Sequence, residues 1–200
     1  MVIQPALDLE QFVEGETMIY FVVEYDGEFG FIKPWTAVRD GETYSQQFLT
    51  PSIIEGIRQK LEVKEILRHK LSYTGINVQQ EKVHARAWNK SGKKYSRETS
   101  ILLRGVMIKP VLFLAFSSKE DANKAKCQHI CLCRNEDIFL PKATITEMIE
   151  EDFNQIEGFE LRFGKNEQSF LVGYNRFENN QPMYGWIEIT GNPTRNIEHE

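Results

Sequence analysis

The chain has 200 residues, 41% of them apolar and 12% aromatic, with a formal net charge of −5. This composition excludes a disordered polymer, and the length is sufficient to bury a hydrophobic core. The longest apolar runs fall far short of the ~20 residues of a bilayer-spanning helix, and the first residues lack the features of a signal peptide, so we expect a cytoplasmic protein. The chain has three cysteines, and an odd number does not favour a disulfide framework, which agrees with a cytoplasmic protein.

The first predicted element is a β-hairpin between Met18 and Val38. Two apolar and aromatic runs flank Asp26-Gly27, a dipeptide typical of tight hairpin turns in which glycine adopts a positive φ. A helix from Pro51 to about Lys60 follows, with Thr50 as its N-cap and proline at its first position. The apolar spacing leaves open an extension of this helix to Leu71.

The middle of the chain predicts two strands, residues 78–88 and 95–108, joined by a turn at 89–94. The continuous apolar run 111–116 predicts a buried central strand, and Ser118 predicts the cap of a short polar helix. A further strand is expected at 127–134. Thr144 and Glu147 match a capping box, so a second principal helix is predicted from Ile145 to about Asn154.

Three strands separated by turn-rich segments are predicted for the last part of the chain. The sequence therefore predicts an α+β fold, mainly antiparallel sheet with two principal helices. We expect a single domain over residues 1–190, with a subdivision near 110 or 141 left open, and a flexible C-terminal tail over 191–200.

Charge is sorted into blocks along the chain. Residues 1–57 carry ten Asp and Glu against two Lys and Arg, and residues 58–110 carry four against thirteen. Residues 111–142 carry four against five, and 143–200 carry eleven against four. A middle block of about +9 within an acidic protein indicates an anionic partner, either the acidic flanks of the chain or another molecule.

The basic block centres on the second predicted hairpin. Strand alternation places four side chains on one outward face, and the turn extends the charge around the tip. Lysine and arginine bind phosphates, and an exposed tryptophan among them is a stacking platform for an unpaired base. Arg58, Arg68 and Lys70 are expected to add to this charge from the preceding helix. The candidate nucleic-acid-binding residues are Lys82, His84, Arg86, Trp88, Lys90, Lys93, Lys94 and Arg97.

The leading hypothesis is a non-catalytic binding protein whose basic hairpin engages RNA or single-stranded DNA. The alternative is an interaction protein whose basic strip pairs with acidic surface, either on an acidic protein partner or on a second copy of the chain in a homo-oligomer. Lysines that merely protect a sheet edge from aggregation would give the same pattern. No membrane partner and no cofactor are expected.

Cys127, His129, Cys131 and Cys133 alternate, so a strand would place all four on one face. Neighbours on one face lie about 7 Å apart and the outer pair much farther, so one Zn²⁺ could not reach all four. We expect no metal site and three reduced, buried cysteines on the inner face of a strand.

Enzyme signatures are nearly absent: the chain has no dinucleotide-binding, Walker A, nucleophile-elbow or zinc-protease motif. Glu62-x-Lys64 resembles the terminal dyad of the PD-(D/E)xK nucleases, in which acidic residues hold Mg²⁺ and lysine orients water. The resemblance implies a Mg²⁺-dependent nuclease, with Asp40 as the upstream acid. In that family the dyad lies on a strand, whereas here it lies in a predicted helix. A nuclease is therefore the third hypothesis.

Overall fold

A computed structural model describes residues 18–34, 41–83, 88–97, 100–175 and 178–194. Most of the described chain is antiparallel sheet, with three short helices. The helices are α1 (Pro51–Leu61), α2 (Lys119–Ala125) and α3 (Glu150–Gln155). The strands are β1 (Ile19–Asp26), β2 (Phe29–Gly30), β3 (Glu42–Tyr44), β4 (Arg68–Ser72), β5 (Gly75–Val83), β6 (Trp88–Ser91), β7 (Lys94–Arg97), β8 (Ser100–Ile108), β9 (Val111–Phe116), β10 (Ile130–Cys131), β11 (Ile138–Ile149), β12 (Gly158–Phe163), β13 (Phe170–Asn175) and β14 (Gln181–Thr190).

The largest sheet has eight strands in the order β10-β11-β1-β9-β4-β12-β14-β13. Its centre has the chain order β1-α1-β4-β9-α2-β11, and these four strands lie side by side as β11-β1-β9-β4 with antiparallel neighbours. This β-α-β-β-α-β arrangement is ferredoxin-like. The strands β12–β14 extend the sheet beyond β4.

Both faces of the central sheet are covered, which explains the continuous apolar sequence of β9. Leu112 and Leu114 face the main core, to which α1 and α2 contribute. Phe113 and Ala115 face a second cluster on the opposite side, around Phe153 of α3. A strand covered on both sides has no polar face, so the prediction of a buried central strand is confirmed.

The first helix begins as predicted, with the Thr50 hydroxyl accepting from the Ile53 N–H. The extension to Leu71, which the apolar spacing left open, does not occur. Glu62 ends α1 in the left-handed conformation, and Arg68 opens β4. The cap of α2 is confirmed, because the Ser118 hydroxyl accepts from the Asp121 N–H.

The predicted hairpin at Asp26-Gly27 is wrong. β1 pairs with β9 and β11, whereas β2 pairs with β8 in another sheet. Gly27 does not have a positive φ. A Cβ there would lie 2.9 Å from the Ile138 carbonyl oxygen, so glycine is required for close approach rather than for a turn. The predicted second run, 28–38, extends past the described residues, which stop at 34.

The helix predicted from Ile145 to about Asn154 is wrong in its first half, because residues 138–149 form β11 and α3 begins only at Glu150. Ile145 packs on the main core, and Met148 packs on the opposite cluster. Ile145 and Met148, whose spacing of three residues suggested one face of a helix, therefore lie on opposite faces of one strand. Thr144 is an exposed strand residue rather than a helix cap.

A second sheet is built around β8, which pairs with β2, β3 and β5. β5 and β8 form a ribbon whose register runs from Gly75 opposite Ile108 to Val83 opposite Ser100. β6 and β7 form a separate two-stranded sheet. The strands β5 to β8 all lie between β4 and β9 of the ferredoxin-like arrangement, and we call this segment the insertion. The chain turns within the predicted segment 89–94, but the turn is shorter than predicted: Ser91 and Lys94 are already paired, and Gly92 between them has φ 62°.

The three predicted C-terminal strands are confirmed as β12, β13 and β14. The predicted tail, 191–200, is described only to Thr194, which forms a parallel bridge with Tyr73. In the described part of the chain, no helix combines the length and hydropathy needed to cross a bilayer.

Candidate nucleic-acid interface

The tip of the insertion, formed by β6, β7 and their turn, carries most of the predicted binding residues. We refer to residues 88–97 as the hairpin tip. Lys90 lies opposite Tyr95 and Trp88 lies opposite Arg97. Because paired residues of antiparallel strands share a face, Trp88, Lys90 and Tyr95 project on the same side.

The aromatic groups of this face are open to solvent. Trp88 is 59% exposed and Tyr95 is 60% exposed. The Lys90 Nζ lies 5.7 Å from the centre of the Tyr95 ring, within the range of a cation–π interaction. Exposed large rings beside an ammonium group are what a stacked nucleobase and its phosphate require.

The lysines of the insertion have no carboxylate partner among the described residues. Lys82, Lys90, Lys93 and Lys94 are all exposed, and none of them appears in the ion pairs between described side chains. Some lysines elsewhere are paired, such as Lys142 with Glu24 and Lys119 with Glu147. The positive charge at the tip is therefore not neutralised by described carboxylates.

The predicted eight-residue site is only partly assembled by the structure. Lys82 is the penultimate residue of β5, opposite Ile101, and is separated from the tip by residues 84–87. His84 and Arg86 lie outside the described residues, so their place on the Lys82 face stays a prediction. The backbone of Arg97 is placed opposite Trp88.

The expected contribution from Arg58, Arg68 and Lys70 is wrong. Arg58 is paired with Glu55 at 2.7 Å on its own helix. Arg68 and Lys70 are buried in β4, not exposed on a helix. The strand Arg68–Ser72 is buried along its whole length, so these two charges point into the protein.

A buried network holds these two cations. Arg68 Nη2 donates to Glu160 Oε2 at 2.8 Å, and Nη1 donates to Glu150 at 3.1 Å. The Lys70 ammonium donates to the Thr190 hydroxyl and to the Asn154 carbonyl oxygen. The network joins the central sheet to β12 and β14, which gives these cations a structural role.

The cysteine prediction is also wrong in its geometry. Cys127 and Cys133 are exposed and lie outside strands, and Cys131 belongs to the two-residue strand β10. Turns and bends interrupt the predicted strand, so the four residues do not share one inner face. Within the described ranges, no group of three or more His, Cys, Asp or Glu side chains is placed to hold a metal ion.

The nuclease-like dyad lies in a different setting from its family pattern. Glu62 caps the C-terminus of α1 with φ 56°, and Lys64 follows in a loop. Asp40, the predicted upstream acid, lies outside the described residues. The dyad is therefore not on a strand, which the family arrangement requires.

Tyr95 is the residue of the tip that sequence reasoning missed. A two-residue turn at Gly92-Lys93, had it been predicted, would have placed Tyr95 opposite Lys90. The prediction gave only a six-residue turn at 89–94, which does not fix the register of the two strands.

No protein-family model matches the chain, and no curated protein matches its sequence. Among solved structures, the chain is similar to one described as "CRISPR RNA-guided surveillance complex", at 12% sequence identity and a TM-score of 0.48. The similarity covers 87% of this chain and 91% of that chain.

Proposed function

We propose that the chain binds single-stranded nucleic acid, RNA or DNA, through the hairpin tip. The observation that carries this proposal is the shared face of Trp88, Lys90 and Tyr95. Two exposed rings share this face with the Lys90 ammonium group, and Lys93 and Lys94 lie at the adjoining turn. Base stacking on aromatic rings tolerates any sequence, and ammonium groups neutralise phosphates.

The electrostatic part of the proposal predicts steep salt dependence. Each neutralised phosphate releases a counterion, with a slope of about −0.7 per contact for single strands. We expect the affinity for a fluorescein-labelled 12-nucleotide poly(U) or poly(dT) to fall steeply between about 50 and 200 mM salt, as measured by fluorescence anisotropy.

Charge reversal at the turn tests the site itself. The Lys93→Glu/Lys94→Glu variant should lose binding while it keeps its fold, because both residues are exposed and the turn glycine is unchanged. The matched control is Lys60→Glu/Lys64→Glu, which makes the same change in net charge at two exposed lysines outside the insertion. Equal loss in both variants would show a general charge effect and contradict a site at the tip.

Removal of an aromatic ring should have a different signature. Trp88→Ala should cost on the order of 1–3 kcal/mol per lost stacked base. The salt slope should stay nearly unchanged, because no phosphate contact is removed.

Failure of the wild-type chain to bind either oligonucleotide at about 50 mM salt would contradict the proposal, since low salt favours even non-specific contacts. In that event, light scattering would test a homo-oligomer, the alternative that pairs the basic strip with acidic surface.

A further inference from the structure

One face of the β5–β8 ribbon is open and partly apolar where it leaves the core. The face begins at the buried Met107, opposite the exposed Ile76, and is open at Val78, Gln80, Lys82 and Ile101. Strand register places its members on the same side of the ribbon. We call this the ribbon face; its exposed members are Glu42, Tyr44, Ile76, Val78, Gln80, Lys82 and Ile101.

Tyr44 is the aromatic residue of the ribbon face. It is 52% exposed and lies opposite Gly105 in the parallel pairing of β3 with β8. A Cβ at Gly105 would lie 2.2 Å from Tyr44 Cδ1 and 2.9 Å from Cε1. The tyrosine ring therefore leans across β8 in space that only glycine leaves free.

The ring is held in this orientation by its hydroxyl group. The Tyr44 hydroxyl donates to Glu42 Oε1 at 2.8 Å, two residues away on the same strand. The hydrogen bond to Glu42 also raises the pKa of the tyrosine hydroxyl. A ring oriented before a ligand arrives loses little conformational entropy on binding.

The ribbon face leads from Tyr44 towards the hairpin tip. Lys82, near the far end of β5, is exposed and has no carboxylate partner among the described residues. The chain from Gly105 to Arg97 spans at most about 28 Å. A single-stranded nucleic acid bound at the tip could therefore extend to Tyr44 over several nucleotides, since the binding sites of single-strand-binding proteins commonly cover about 4–16 nucleotides.

We propose that Tyr44 is a second nucleobase-stacking residue, which binds a base several nucleotides away from the base held at the tip. Lys82 contacts a phosphate between the two. This inference rests on the proposed function and deepens it, because it defines a ligand that is longer than the tip and follows the ribbon. Val78, opposite Gly105, and Ile76, two residues before it on β5, supply the apolar surround of the stacked base.

The test compares the 12-nucleotide poly(U) with a 4-nucleotide poly(U) by fluorescence anisotropy. Tyr44→Leu keeps an apolar side chain but removes the aromatic ring. It should weaken binding of the 12-mer by about 5- to 150-fold, the equivalent of one stacked base. Binding of the 4-mer, which the tip alone accommodates, should change less than about twofold. Tyr44→Phe keeps the ring and should bind the 12-mer nearly as the wild type does.

A second measurement on the wild-type chain does not depend on a variant that folds. Photocrosslinking of a 12-mer that carries 4-thiouridine should attach the oligonucleotide to the peptide that contains Tyr44, and mass spectrometry should identify that peptide.

The two proposals fail in different ways. A wild-type chain that binds neither oligonucleotide overturns the proposed function, and this inference with it. A wild-type chain whose 12-mer affinity is unchanged by Tyr44→Leu, with no crosslink at Tyr44, overturns only the inference.

Discussion

At the scale of single residues, Gly27 and Gly56 show that the same residue type serves different purposes. Neither has a positive φ. A Cβ at Gly27 would press on the Ile138 carbonyl oxygen and on the Phe139 ring, 2.9 and 3.3 Å away. A Cβ at Gly56, in the middle of α1, would meet nothing within 4 Å. Close packing therefore requires glycine at position 27, whereas position 56 has room for a larger side chain.

The two alanine substitutions should change stability in opposite directions. Gly27→Ala should lower the free energy of unfolding by about 1–3 kcal/mol, because the packed neighbours must shift. Gly56→Ala should raise it by about 0.5–1 kcal/mol, because alanine is the better helix former. Urea unfolding measures both, and a stabilising Gly27→Ala would contradict the close approach of these strands.

His69 is a residue whose burial should be visible in the pH dependence of stability. Its Nε2 accepts from the Leu161 N–H, and burial lowers its pKa from 6.5 to about 4. Nearby Glu160 opposes this shift, whereas Arg68 and Lys70 add to it. Between pH 6.5 and 4 the unfolded chain binds a proton at this histidine that the folded chain does not.

The wild-type protein should therefore lose stability as the pH falls through this window. His69→Gln keeps a hydrogen-bond acceptor but cannot titrate, so its stability should fall less between pH 7 and 4.5. The measurement is urea unfolding of both proteins at each pH. Parallel curves for the two proteins would show that His69 does not carry the effect.

At the scale of secondary-structure elements, the join between β4 and β12 is narrow. Its register is defined by a single residue pair, Leu71 opposite Phe159. Side chains reinforce the join from both faces. The rings of Tyr73 and Phe159 stack at 6.1 Å on one side, and Arg68 binds Glu160 on the other. Attachment of the C-terminal strands therefore depends on a buried ion pair.

Removal of one partner from this ion pair should be costly. Glu160→Gln should lower the free energy of unfolding by roughly 3–5 kcal/mol, because it leaves the buried Arg68 poorly compensated. The matched control is Glu188→Gln, which breaks the more exposed pair with Arg162 and should cost about 1 kcal/mol or less. Similar losses for the two variants in urea unfolding would indicate that burial of the Arg68 pair is unimportant.

At the scale of the whole molecule, the hairpin tip is an appendage. β6 and β7 pair only with each other among the described strands, and neither contributes a side chain to the two hydrophobic clusters. Val83 and Ser100 are already paired where the ribbon ends. The core should therefore not depend on residues 84–99.

Replacement of residues 84–99 by Asn-Gly closes the ribbon with a two-residue turn. The shortened protein should keep its circular dichroism spectrum and melt within a few degrees of the wild type, yet lose binding of the 4-nucleotide poly(U). A shortened chain that cannot fold would show that the insertion supports the core, which contradicts its description as an appendage.

The sequence by itself determined features that depend on neighbouring residues. The caps of α1 and α2, the turn at Gly92, the central strand β9 and the last three strands follow from short-range chemistry. The cluster of lysines at the tip could also be predicted, because the distribution of charge along the chain is counted directly from the sequence. Each of these features rests on residues within a few positions of one another.

Only the tertiary structure decided which strands pair and which charges are buried. Asp26-Gly27 has the local chemistry of a turn, but β1 gains more contact by lying between β9 and β11. Ile145 and Met148 have helical spacing, but the two cores on opposite faces of the sheet hold them in a strand. From the sequence alone, Arg68 and Lys70 were expected to be surface cations. In the fold they are buried and bind Glu160, Asn154 and Thr190, which are far away in the sequence. Long-range burial overrides local propensity wherever it removes more apolar surface from water.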